Sequence, residues 1–296
     1  MDLRPLLLRA LKDYKNNLKF VIPRLLETLL EIGIFFTVII IIALVMGLAM
    51  RGFSYENLLG PFPEISFFMV AVVLAGAALG IFLFMLVTAT AKGALISMAL
   101  GTYSMGSTTL QEGLEGVRRY MPRIFLYFVF LLGALITVMV FFFMLISPLR
   151  GGGGFITPLI ASFLVSSTLI ALLVFYVFTL FTPQVIAMRD AGVVDGLRGS
   201  AMFVRSNFGT VAAYGGIVFA LTLAVGFFMS VTFFIINEAT RYNPFLNLGA
   251  KIFQNILAFA VGITISTYFE IVKTYMVIES GNKEEENEGT AGEGGR

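Results

Sequence analysis

Five ionisable side chains fall inside or at the margins of long apolar runs: Glu27, Glu31, Lys92, Glu270 and Lys273. A charge in hydrocarbon is costly, so such residues are retained where they find a partner or perform a task. Glu27 and Glu31 are four residues apart and share one helix face. All five are expected at similar depth on one side of a helical bundle, a network of three acids and two bases. Two readings are open. In one, the charges are interfacial, snorkelling or paired to fix helix packing. In the other, they line the path of a coupling ion or small solute. A transporter would more persuasively place an acid near the mid-membrane, and none of these lies there.

Other chemistry is largely removed by composition. The chain has no His and no Cys, so it lacks a thiol nucleophile, a disulfide, an imidazole base and His-ligated zinc. It contains no GxSxG, SxxK or Walker A pattern, and every Asp is expected outside the membrane. The run Gly151–Gly154 follows no strand and lacks the Lys-Ser/Thr of a phosphate loop, so it reads as a flexible turn. The expected protein is not an enzyme and carries no cofactor or metal.

The elements that position the five charges follow from hydropathy. Of 296 residues, 58% are hydrophobic and 13% charged, with mean hydropathy +0.93. Ordinary globular chains run about 25% charged, and a soluble surface cannot be built from so little. A crossing helix needs about 20 mostly apolar residues. Six stretches qualify, near 24–50, 65–91, 124–149, 155–188, 208–237 and 249–274. The expected fold is all-α: a polytopic domain over residues 1–279, then an acidic, Gly-rich tail, 280–296, expected to be disordered in the cytoplasm. Pro183 is expected to kink or end the fourth run. Small residues Gly76, Gly80, Ala89, Gly93, Ser97 and Gly101 suit close helix packing on the second. Of the 20 Lys and Arg residues, only Arg51, Arg150, Arg241 and Lys251 fall on one side. The bias places both termini in the cytoplasm of a multi-pass cell-membrane protein. No cleavable signal peptide is evident, and the first span is expected to stay attached.

Three segments before the first, third and fifth spans resemble one another. Glu112-Gly113-Leu114-Glu115-Gly116 corresponds to Asp195-Gly196-Leu197-Arg198-Gly199, and Lys15-Asn16-Asn17-Leu18 matches more weakly. Apolar residues recur at helical spacing in each, as in Leu7, Leu11, Tyr14 and Leu18. Thr109 and Glu112 suit a capping box. The segments read as interfacial helices, each followed by a transmembrane hairpin, giving three units. Their basic residues Lys12, Lys15, Lys19, Arg118, Arg119, Arg123, Arg198 and Arg205 are placed to meet anionic lipid head groups, at about 1 kcal/mol each. Elbows that merely set the angle of the next crossing would look the same. Membrane lipids and a membrane protein are the expected partners; nucleic acid is not.

A wider pattern joins Lys92-Gly93-Ala94-Leu95-Ile96-Ser97, Gly106-Ser107-Thr108-Thr109, Phe181-Thr182-Pro183-Gln184 and Phe203-Val204-Arg205-Ser206-Asn207. It resembles the six-helix membrane domain found beside some bacterial glycerophosphodiester phosphodiesterases, and its stand-alone prokaryotic relatives. The resemblance implies a membrane module of that shape. It implies no phosphodiesterase activity, since the catalytic barrel of the fused proteins has no counterpart here. The expected function is a non-enzymatic membrane scaffold or accessory module that interacts with lipid or partner proteins. The alternative is a small-solute or ion permease using the acidic and basic cluster.

Overall fold

A computed structural model describes residues 2–51, 64–147 and 156–293. Among these residues there is no strand, and nine α-helices follow in order: α1 Leu3–Asn16, α2 Val21–Arg51, α3 Glu64–Met105, α4 Leu110–Ile146, α5 Ile156–Thr179, α6 Thr182–Arg189, α7 Val193–Ser206, α8 Phe208–Thr240 and α9 Pro244–Glu293. Six stretches among them are long and apolar enough to cross a membrane: Leu18–Val45, Val70–Met105, Leu110–Leu145, Ile160–Arg189, Phe208–Thr240 and Pro244–Asn282. They coincide with the six runs expected from hydropathy. The protein is an all-α, multi-pass membrane protein.

Local signals set the helix ends. Asp2 accepts from the Arg4 N–H at 3.0 Å and caps α1. Thr109 caps α4 by accepting from the Glu112 N–H at 3.2 Å. The Glu112 carboxylate turns back to the hydroxyls of Thr108 and Thr109, where a capping box would have it take the backbone N–H of the cap residue. Helix α5 ends at Thr179, and Pro183 sits in the first turn of α6, where its missing N–H costs nothing. Helix α9 keeps its helical backbone to Glu293, into the segment for which the sequence suggested a disordered tail. The Gly151–Gly154 turn lies outside the described residues.

The three-unit arrangement is not shown by the packing. Helices α1 and α7 are separate from the spans they precede, but the second of the three related segments is continuous with its span in α4. The most extensive helix pairing is α3 with α4, whereas α4 and α5, expected as a hairpin, touch only slightly. Small residues explain the first. Gly93 and Gly116 bring two backbones together, so that a Cβ on Gly116 would lie 2.6 Å from the Gly93 carbonyl oxygen. Likewise Gly196 lies against Ile186 and Gly199 against Val185, seating α7 on α6.

The core occupies one end of the bundle. Leu6, Ala10 and Tyr14 of α1 join Leu95, Met98, Phe181, Phe203, Val204, Tyr275 and Met276 in one buried cluster. Of the most apolar stretch of each of the first five spans, no more than 6% is buried, against 33% in the last. Lipid tails solvate such faces as well as another helix does, so nothing forces them together. The packed end is the one that bears most of the Lys and Arg.

Candidate functional site

The five charges stand where the packed end meets the exposed spans, but they form three groups. Helix α9 places Glu270 and Lys273 one turn apart, with Nζ 2.6 Å from Glu270 Oε2. Lys92 of α3 reaches across to Glu270 Oε1 at 3.2 Å. Gln184 of α6 donates its amide N–H to the same Oε1 at 2.8 Å. Glu270 and Lys273 are each 8% exposed. One carboxylate thus joins three helices and answers two ammonium groups.

Glu27 does not enter this trio. It is paired with Arg24 on its own helix, and Arg24 donates from Nε to Ser266 Oγ at 3.1 Å, tying α2 to α9. Glu31 accepts from the Thr88 hydroxyl at 3.1 Å, tying α2 to α3. Every one of these side chains therefore has a partner within the bundle.

Gln184 and Arg24 complete the cluster, though neither stood among the five charges. Gln184 had a signal: an amide inside an apolar run near 155–188, fully buried here. Its Oε1 has no hydrogen-bond partner. Turning the amide over would aim that oxygen at a carboxylate, so Glu270 fixes the side chain's orientation. Arg24 gave less warning, because its charge reads as one more flanking basic residue.

A second polar group fastens α1. Arg9 donates to the Tyr103 carbonyl oxygen at 2.8 Å, and its guanidinium lies 3.8 Å from the centre of the Tyr103 ring. The Tyr275 hydroxyl donates to Asp13 Oδ2 at 2.7 Å, and the Tyr103 hydroxyl donates to Glu279 Oε2 at 2.8 Å. The Tyr275 hydroxyl of α9 and the carbonyl oxygen and ring of Tyr103 on α3 thus hold α1, while the Tyr103 hydroxyl ties α3 to α9, through side chains that hydropathy alone treats as filler.

The basic residues expected to meet lipid divide. Lys12, Lys15, Lys19, Arg118, Arg198 and Arg205 are exposed. Arg119 and Arg123 converge instead on Asp190, at the C-terminus of α6, with Arg119 Nε 3.5 Å from Oδ1. The hydrogen bond from Arg123, then that from Arg119, holds the Asp190 carboxyl below the usual carboxylate range. Among the described residues no group of three acids is placed to hold a metal ion.

A groove of about 1060 Å³ opens between α5, α8 and α9. Its walls are apolar, with Val177, Val218, Phe219, Val225, Val261 and Ile265 among them, and Glu270 and Lys273 stand at one end. The cluster therefore stands at the end of a mostly apolar groove.

Residues 26–279 match the family model of a domain of unknown function, DUF7847. The chain belongs to this family. Nothing in the match links the DUF7847 domain to glycerophosphodiester phosphodiesterases, so the likeness drawn from its loose motifs stands without that connection. No curated protein and no solved structure matches the chain. All five charges, with Gln184, lie within the DUF7847 domain; α1 and its Arg9 and Asp13 contacts precede it.

Proposed function

We propose that this DUF7847 protein is a non-enzymatic accessory module of the cell membrane, with both termini in the cytoplasm and its packed end engaged with anionic lipid head groups. One observation carries the reading. The three related segments turn one face into the bundle and leave apolar and basic side chains together on the other. Leu8 and Leu11 are exposed beside Lys12, Leu114 near Arg118, and Val194 and Met202 either side of Arg198. Side chains of that mixture suit the boundary between acyl chains and head groups. The basic bias puts that boundary on the inner leaflet. The apolar groove weighs against a permease, because a hydrated solute would lose its water against aliphatic walls. The absence of His, Cys and a nucleophile motif supports a non-catalytic role.

The test is thermal unfolding in nanodiscs of phosphatidylglycerol or phosphatidylcholine with matched acyl chains. Phosphatidylglycerol should raise the midpoint, and added salt should reduce the gain. Neutralising Lys12, Lys15, Lys19, Arg118, Arg198 and Arg205 together should abolish it. Equal midpoints in the two lipids would remove the lipid reading, and solute flux through the reconstituted protein would restore the permease. Orientation is separately measurable, since the chain is free of Cys. Cysteines introduced at Ser107 and Asn282 should label only from inside, and one at Asn243 only from outside.

A further inference from the structure

We propose that the groove between α5, α8 and α9 binds one anionic membrane phospholipid, its phosphate held at Lys273. This deepens the lipid-interaction reading and rests on it, but concerns a different surface from the exposed interfacial residues. The first argument is charge. Both oxygens of Glu270 are engaged, Oε1 by Lys92 and Gln184 and Oε2 by Lys273. The trio of Lys92, Glu270 and Lys273 therefore holds one cation in excess at the end of an apolar groove. Arg24 is answered by Glu27, and Glu31 keeps its negative charge on a hydrogen bond from the Thr88 hydroxyl but does not line the groove. An ammonium has three donors. Among the described residues Lys273 is paired only with Glu270, although it is 8% exposed and lines the groove. A buried cation short of partners is costly, and an anion placed there completes the site.

The second argument is shape. The groove follows α9 from Ala258 to Lys273, which is about 22 Å at about 1.5 Å per residue. That exceeds half of a hydrocarbon core of about 30 Å, so an acyl chain can lie along it with its head at Lys273. Its volume, about 1060 Å³, lies just above the range of roughly 300–1,000 Å³ that encloses small ligands. Gly215, Gly226 and Gly262 line it, and a Cβ built on any of them would meet nothing within 4 Å. Where larger residues would fill the space, these leave it open.

The experiment is native mass spectrometry of the full chain in detergent, titrated with phosphatidylglycerol or with phosphatidylcholine of the same chains. One phosphatidylglycerol per chain should be retained at least tenfold better than phosphatidylcholine. Lys273→Gln should cut that retention about tenfold, and Lys273→Arg should preserve it. Gly262→Leu fills the groove without touching an ion pair, so it should lower retention of the lipid even if Lys273→Gln fails to fold. The six-fold interfacial variant should leave this one lipid in place, which separates failure of the groove from failure of the interface. Equal retention of the two lipids, unchanged retention in Gly262→Leu, or displacement by inorganic phosphate as effective as by the lipid would overturn the assignment.

Discussion

The two halves of α3 obey different rules. Between Ala89 and Thr102 every residue, Lys92 and Ser97 included, is buried or partly buried, and the helix packs on α2, α4, α6 and α9. Between Val70 and Phe82, the same helix exposes Val70, Val73, Leu74, Leu79, Ile81 and Phe82. The packed half is the less apolar of the two, carrying Thr90, Lys92, Ser97 and Thr102 where the exposed half has no polar side chain, so hydrophobicity does not decide which half packs. Small residues are frequent in both, but Gly76 and Gly80 meet the side chains of Ile42 and Val38, whereas Gly93 meets the backbone of α4, and only the packed half carries polar side chains that must be satisfied. Where lipid tails are the alternative partner, apolar contact alone gives helices no reason to associate. Backbone-to-backbone approach at glycine and the pairing of buried charges do.

The comparison is most severely tested at its polar hinge. Glu270→Gln removes the one carboxylate that answers Lys92 and Lys273, leaving a buried and a partly buried ammonium group with an amide between them. Breaking a buried pair in this way costs about 3–5 kcal/mol. Thermal unfolding in detergent should register a loss of that order. Unchanged stability would mean that the lysines find water or lipid as readily as they find Glu270, and the packed end would not be organised by its charges. A smaller effect separates the halves by one substitution made twice. In Gly116→Ala the new methyl meets the Gly93 carbonyl oxygen and Ser97, and overpacking of this kind costs about 1–3 kcal/mol. In Gly133→Ala, further along the same helix, the methyl meets nothing within 4 Å. Gain of helix propensity, up to about 1 kcal/mol, is then the main effect. The two variants should shift the melting midpoint in opposite directions; shifts of the same sign would dissolve the distinction.

Six spans were legible in the sequence because length and hydropathy are local properties, and the positions of Pro183 and Thr109 were legible for the same reason. The small-residue stripe through Gly93, Ser97 and Gly101 correctly announced a close approach. Its partner was not announced, since Gly113 and Gly116 of α4 were read as part of an interfacial elbow. That is why three similar segments suggested three similar units, while in the fold the second segment is welded to α3 and the others dock as separate helices. The site was legible in part. Lys92, Glu270 and Lys273 do meet, as charges stranded at one depth must, but Glu27 is captured by Arg24 only three residues away. Gln184 was hidden because an amide carries no charge to flag it. The hold of Tyr103 and Tyr275 on α1 was invisible, because a tyrosine in an apolar run looks like core until its ring or hydroxyl is given a partner.

The mildest test lies at the rim of the packed end. Asp190 closes α6 with φ of 49°, a left-handed conformation that few residues other than glycine adopt, though Asp and Asn tolerate it. Glycine would suit the backbone better, so the carboxylate must supply something in return, and Arg123 and Arg119 of α4 show what. Their hydrogen bonds depress the Asp190 carboxyl in the folded state. A depressed carboxyl stabilises the fold at pH values above its unfolded value, about 3.9. That contribution is lost as pH falls through that value to the lower folded one. Asp190→Asn keeps the backbone tolerance and removes the charge. The wild type should therefore melt above the Asn variant at neutral pH, with the gap closing as the solution is acidified below about 4. Because Asp190 and both arginines are open to solvent, the gap should also shrink in high salt. A gap that persists through acid and salt would show that Asp190 serves α6 by its shape alone, and that pairing of charges holds helices together only where the packed end is closed to water.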